Sequence, residues 1–274
     1  MSRRDYLLLV TLGACCGVLL SIAYVKPYTN QIRLSEMVLQ LSGARGTFIL
    51  ETTPGELLSY CAKTLPYLLF ELYFGIHVYR HFCTASVYIF SRTPHRIRWY
   101  IKECLALIVA IVLFQTVMLA MTIATTWLRH ELIWDMAGVK LLIIHALLYT
   151  FWTFAMTLLV NLFSITYGSG TACTITFGGQ TVLLVLLSVL TPLENNVELY
   201  AFVMNINPMS HLVIGWHSAA IEWTGYLTVG IVSTLSLFSS FAYLSLIAVV
   251  VGIAGAICIQ RQDVIVADSE FGGI

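Results

Sequence analysis

The stretch CLALIVAIVLFQTVMLAMTIATTWL, residues 104–128, contains no aspartate, glutamate, lysine or arginine. Wound into an α-helix at 1.5 Å per residue it reaches about 37 Å, enough to cross a hydrocarbon core about 30 Å thick. A bilayer offers its backbone no partners, so each amide and carbonyl must be satisfied within the protein, and a helix does this internally. The run decides the class: an all-α, polytopic membrane protein is expected.

Further runs lie to either side. Tyr6–Val25 follows Arg3 and Arg4, which favours a cytoplasmic N-terminus. Leu12-Gly13-Ala14-Cys15 resembles a lipoprotein cleavage box, but the apolar run continues past Cys15, so a retained helix is expected. Leu65–Phe82 is an imperfect span that holds Glu71, His77, Arg80 and His81. Beyond the central run come a polar connection, Arg129–Gly138, a fourth run over Lys140–Tyr167 and a Gly-Ser-Gly-Thr break at 168–171. The fifth run is Ala172–Leu190 and the last Ser233–Ile259. Six spans place both termini on the cytoplasmic side. The connection 79–103, then also cytoplasmic, carries five basic residues against four in the longer outer segment 26–64.

Two outer segments remain, 26–62 and 193–232. In the first, Leu34, Met37, Val38 and Leu41 have the spacing of a short amphipathic helix, expected at the outer surface. In the second, re-entrant-like segment, Asn207-Pro208 reads as a helix start, with Asn as cap and Pro in the first turn. Trp216, Trp223 and Tyr226 suit the headgroup region.

Composition agrees. Hydrophobic residues make up 59% of the 274 and charged residues 10%, against about 25% in soluble domains. The 14 basic and 14 acidic residues balance, so no field invites nucleic acid. None of the seven cysteines forms a CxxC pair, and a disulfide framework or zinc site is not expected. The chain reads as one transmembrane domain over 1–274.

Several residues are candidates for chemistry. No GxxxxGK[ST] is present, so ATP hydrolysis is not expected of this chain. His77 and His81 share a helix face and, with Glu71, define a membrane-embedded enzyme as one reading; no HExxH or third metal ligand accompanies them. Gly168-Ser169-Gly170 lacks the frame of a nucleophilic serine and reads as a helix–helix turn. Glu71 is the unusual charge, because a carboxylate within a span is costly and faces protein or a watery cavity. Either it lines a substrate pathway, with Gln115, Asn161 and Gln180, or it makes a structural bond or pairs with Arg80. Hydrogen bonding between helices also accounts for the three neutral residues.

The stretch 83–102 mixes aromatic and basic residues. It reads both as a positive-inside anchor and as an amphipathic helix that docks on a soluble partner. Within it, Tyr88-Ile89-Phe90-Ser91-Arg92 and Arg96-Ile97-Arg98-Trp99-Tyr100-Ile101-Lys102 resemble the inner loop of type-2 ABC transporter permeases. These are bacterial exporter subunits serving peptide and antibiotic efflux or bacteriocin immunity. The layout is similar too, with its tight turn between spans four and five and long outer stretch before span six.

The resemblance implies a permease in a bacterial cell membrane. Tyr88, Phe90, Arg92, Arg96, Arg98 and Trp99 would lie in a coupling helix fitting a groove on ABC ATPase subunits. ATP and Mg would be bound by those partners and no cofactor by this chain. A second permease, the same chain or a different one, would complete the pathway within membrane lipid. A third reading is an accessory immunity protein that binds a peptide at the outer face through 26–62 and 193–232.

Overall fold

The computed structural model describes residues 3–27, 30–42, 54–88, 96–188, 197–217, 223 and 235–261. In chain order these form α1 (Arg3–Tyr24), β1 (Gln31–Arg33), α2 (Leu34–Leu41), α3 (Pro54–Tyr88), α4 (Arg96–Arg129), β2 (Glu131–Ile133), α5 (Met136–Tyr167), α6 (Ser169–Ser188) and α7 (Val197–Ile206). Two 3-10 turns, Ser210–Leu212 and Ile214–Trp216, precede α8 (Leu237–Arg261). Among the described residues five helices are long and apolar enough to cross a membrane: α1, α4, α5, α6 and α8. They expose Leu7, Leu19, Leu105, Val109, Leu186 and Val250, side chains suited to a lipid surround. The run expected to span 65–82 is not among the five. It lies inside the longer α3, whose Glu71, His77, Arg80 and His81 lower its apolar character.

The tightest seam joins α1 to α4. Gly13, Gly17 and Ser21 recur every four residues and put a strip of small side chains on one face of α1. A Cβ on Gly17 would collide with the Met118 carbonyl, so the backbones approach as closely as they can. Polar groups then cross the seam. Thr122 Oγ1 donates to the Gly17 carbonyl at 3.1 Å, Ser21 and Thr126 hydroxyls meet at 2.9 Å, and Arg129 Nη1 donates to the Ser21 carbonyl at 3.1 Å. Residue numbers rise together on both sides, so α1 and α4 run parallel.

Both helices therefore leave the bundle at the same end, and β1 pairs with β2 in parallel, from Gln31 opposite Glu131 to Arg33 opposite Ile133. That pairing starts α2 and α5 side by side. Asp135 caps both: Oδ2 accepts from Gly138 N at 3.2 Å and Oδ1 from Ser35 N at 3.0 Å. At Gly138 a Cβ would strike the Ser35 backbone, so glycine is what lets α2 dock. Leu34, Met37, Val38 and Leu41 form the expected helical face, and it is buried in the core against α5.

α5 is the central helix and packs against α2, α3, α4, α6 and α8. At its far end Gly168, at φ 82°, takes a backbone conformation that side chains resist, and α6 turns back at once. The expected four-residue break at 168–171 thus shrinks to one residue, with Ser169–Thr171 already helical. α3 runs parallel to α5, as Tyr67 stacks on Tyr149 and Gly75 abuts Val160. The α3–α4 connection and the Gly168 turn consequently share one end of the bundle; the strands occupy the other.

Three further stretches take definite form. The polar connection Arg129–Gly138 contains β2 and the shared cap. Asn207-Pro208 ends α7 and opens a 3-10 turn, with Asn207 Oδ1 accepting from Met209 N at 2.9 Å and Nδ2 donating to the Leu183 carbonyl at 2.8 Å. Trp216 is buried, whereas Trp223 is part-buried beneath the Lys140 ammonium, 5.2 Å from its ring centre. Tyr226 lies outside the described residues.

Candidate functional site

The polar residues inside the bundle concentrate where α3, α5 and α6 meet. α5 carries Thr153, Thr157 and Asn161 one turn apart on a buried face. From α3, Glu71 enters this seam with no exposed surface. From α6, Gln180 answers it: Nε2 donates to Glu71 Oε2 at 2.7 Å, and Oε1 accepts from Trp152 Nε1 of α5 at 3.2 Å. One amide thereby bridges a carboxylate and an indole and ties three helices together.

The tie is incomplete. Among the described residues Glu71 Oε1 has no hydrogen-bond partner, nor do Thr153 Oγ1, Asn161 Oδ1 and Thr176 Oγ1. Leaving a buried acceptor unmatched costs about 1–3 kcal/mol, and here several lie on the same three helices. Toward the strand end the polar lane continues as an aromatic cluster. Tyr67 hydroxyl meets His145 Nε2 at 3.3 Å, and the Tyr149 ring lies 4.3 Å from Tyr67 and 4.5 Å from His145.

Of the two structural alternatives for Glu71, a hydrogen bond forms, from Gln180, and a pairing with Arg80 does not. Nine residues along a helix carry Arg80 two and a half turns on, about 13 Å away and on the opposite face. Gln115 lies in a different seam, bridging α4 to α5. With its nitrogen toward α5, its amide donates to the Ala146 carbonyl at 2.8 Å and to Thr150 Oγ1 at 3.3 Å. The four residues expected along a pathway therefore divide: Glu71, Gln180 and Asn161 border one seam, and Gln115 serves another.

No family model, no curated protein and no solved structure matches this chain.

At the turn end, the residues expected to couple are distributed differently from a separate helix over 83–102. Residues 83–88 complete α3 and 96–102 open α4, each helix being about 50 Å long. Tyr88 is the last residue of α3, whereas Phe90 and Arg92 lie outside the described residues. In the first turns of α4, Arg98 is exposed and Arg96 and Trp99 are half-buried. Tyr100 is the anchor: its hydroxyl donates to the Gly252 carbonyl at 3.1 Å, and its ring occupies the space a side chain at Gly255 would need. With Tyr79, Cys83 and Ile259 it forms a small core joining α3, α4 and α8.

His81 pairs across this hairpin, with Nδ1 3.3 Å from Glu103 Oε1 and its ring 5.9 Å from Trp99. The His77 side chain lies outside the described set. His81 is ten residues from Glu71, about 15 Å along α3, so the two do not share a site. Among the described residues no three histidine, cysteine or acidic side chains cluster as metal ligands. All seven cysteines are free thiols.

Sequence reading missed Trp152, Thr153 and Thr176. The four-residue recurrence of Thr153, Thr157 and Asn161 inside an apolar run was the available signal.

Proposed function

We propose that the chain is the membrane subunit of a transporter, of the type-2 ABC permease kind, driven by a separate ATPase. In this reading α3 is a sixth crossing. It runs beside α5 and α6 and reaches from the strand end to the turn end, and its buried Glu71 is bonded from α6. The α3–α4 hairpin, with exposed Arg98 and the Tyr100 anchor, is the contact for the ATPase. A push there would pass to α8 through Gly252 and Gly255 and to α5 through Ile165, which packs on the same small core. The cargo is a peptide, an antibiotic or another amphiphile, exported across a bacterial cell membrane by a pair of permease subunits.

The observation that carries the proposal is the unfinished seam around Glu71. A chain that needed only stability in lipid would gain by filling α3–α5–α6 with apolar side chains. Buried polar groups left half-matched suit helices that exchange partners as they move, or that receive a polar group of a cargo. His81 held by Glu103, away from Glu71, gives the enzyme reading less support.

The test is isolation of the tagged full chain from its native membranes. A co-purifying subunit with a nucleotide-binding P-loop is expected, and replacing Tyr88–Arg92 with alanines should release it or uncouple hydrolysis from transport. A chain that exports its cargo without any such subunit, or an unchanged coupled complex after the replacement, would refute the assignment.

A further inference from the structure

Between the outer stretch and α8 lies a second buried polar group, independent of the Glu71 seam. His211, Ser240 and His217 are all essentially inaccessible. Ser240 Oγ stands between the two rings, 2.7 Å from His211 Nδ1 and 2.7 Å from His217 Nε2. Each ring turns its other nitrogen toward backbone carbonyls. His211 Nε2 is 2.9 Å from the Asn205 oxygen, and His217 Nδ1 is 3.1 Å and 3.2 Å from the Val213 and Ile214 oxygens.

Counting hydrogens exposes a conflict. A carbonyl only accepts, so His211 Nε2 and His217 Nδ1 must each carry a proton. If both rings are neutral, the nitrogens facing Ser240 are both acceptors. A serine hydroxyl has one hydrogen and can serve one of them. The other 2.7 Å contact would then set lone pair against lone pair. One added proton resolves it. An imidazolium donates N–H to Ser240 Oγ, and the hydroxyl hydrogen passes to the opposite ring. A second added proton would undo the arrangement, because both rings would donate and the hydroxyl hydrogen would lose its acceptor.

We propose that His211, Ser240 and His217 bind a single proton, shared between the rings across the serine hydroxyl, and that this proton latches residues 207–217 to α8. The frame around the rings is fixed. The Ser210 hydroxyl sits within hydrogen-bond reach of the Met204 and Asn207 carbonyls, and Tyr243, whose ring centre is 4.6 Å from that of His211, donates to the Ile206 carbonyl at 2.6 Å. No carboxylate or ammonium among the described residues neutralises or repels the site. On α5, Lys140 lies over Trp223 while His145 and Tyr149 face Tyr67; on α7, Glu198 is exposed. Tyr243 is the titratable neighbour on α8. Burial works against the charge, drawing His217 down to about 4 and His211 below the usual range. The paired short bonds work for it, and the observed closed geometry is the one a protonated pair makes.

The experiment is nitrogen NMR of the full chain in lipid nanodiscs with ring-labelled histidine, from about pH 8 to about pH 4. The pair is expected to take up one proton, with one imidazolium shared between rings 211 and 217. His217→Gln supplies an amide N–H to Ser240 without a proton and should abolish that uptake. Ser240→Ala, which removes the bridge, should do the same. Two rings neutral throughout the range, two independent imidazoliums, or uptake unaltered in either variant would overturn the proposal. The spectrum of the unmodified protein decides alone where a variant does not fold.

Discussion

Two seams of the bundle are built on opposite plans. Between α1 and α4 small residues bring the backbones together, and each crossing group, Thr122, Ser21, Thr126 and Arg129, finds a partner. Between α3, α5 and α6 the side chains are larger, one amide serves two partners, and four buried polar atoms have none among the described residues. In lipid, packing and interhelical hydrogen bonds replace the hydrophobic drive between helices. A complete set of both makes a clamp. An incomplete set is what the proposed transporter needs in helices that exchange contacts.

The contrast breaks most visibly at Gly17. Gly17→Val places a side chain against the Met118 backbone, where nothing flexible can give, and is expected to cost about 3 kcal/mol. Thermal unfolding in detergent should show the midpoint falling sharply; a midpoint close to the parent's would remove the clamp from the account. Trp152→Phe keeps a ring in the other seam but strips the donor from Gln180 Oε1. A smaller loss, about 1–2 kcal/mol, is expected in the same assay. Smaller still is Thr122→Val, which deletes the bond to the Gly17 carbonyl at almost constant volume. The effect should be about 0.6 kcal/mol, the usual size for a hydrogen bond between membrane helices.

How much of this was legible in the sequence varied with the range of the cause. Uninterrupted apolar runs mark α1, α4, α5, α6 and α8 because lipid imposes length and apolarity on each segment alone. α3 was half visible: its charged and histidine residues masked a helix that continues at both ends, to Pro54 and Tyr88. The face of α2 showed in its spacing, but its burial depends on Asp135 and Gly138, about a hundred residues away, and no local pattern reports that. Strands of three residues carry no period to read. Gly13 and Gly17 had the four-residue spacing of a helix-packing strip, yet Gly13 drew attention as part of a cleavage box. Glu71 and Gln180 each stood out as polar within a span. That they meet each other, and that Gln115 belongs elsewhere, follows from how the helices pack, which local patterning does not specify.

Glu71→Gln offers the most direct measurement. The substitution preserves shape and leaves an oxygen for Gln180 to bond while removing the carboxylate. With unfolding and ATP-driven export measured on the same preparation, stability should change by less than about 1 kcal/mol and export should collapse. Full export at parental stability, or loss of the fold with no separate loss of export, would show that the α3–α5–α6 seam is structural and would contradict the account.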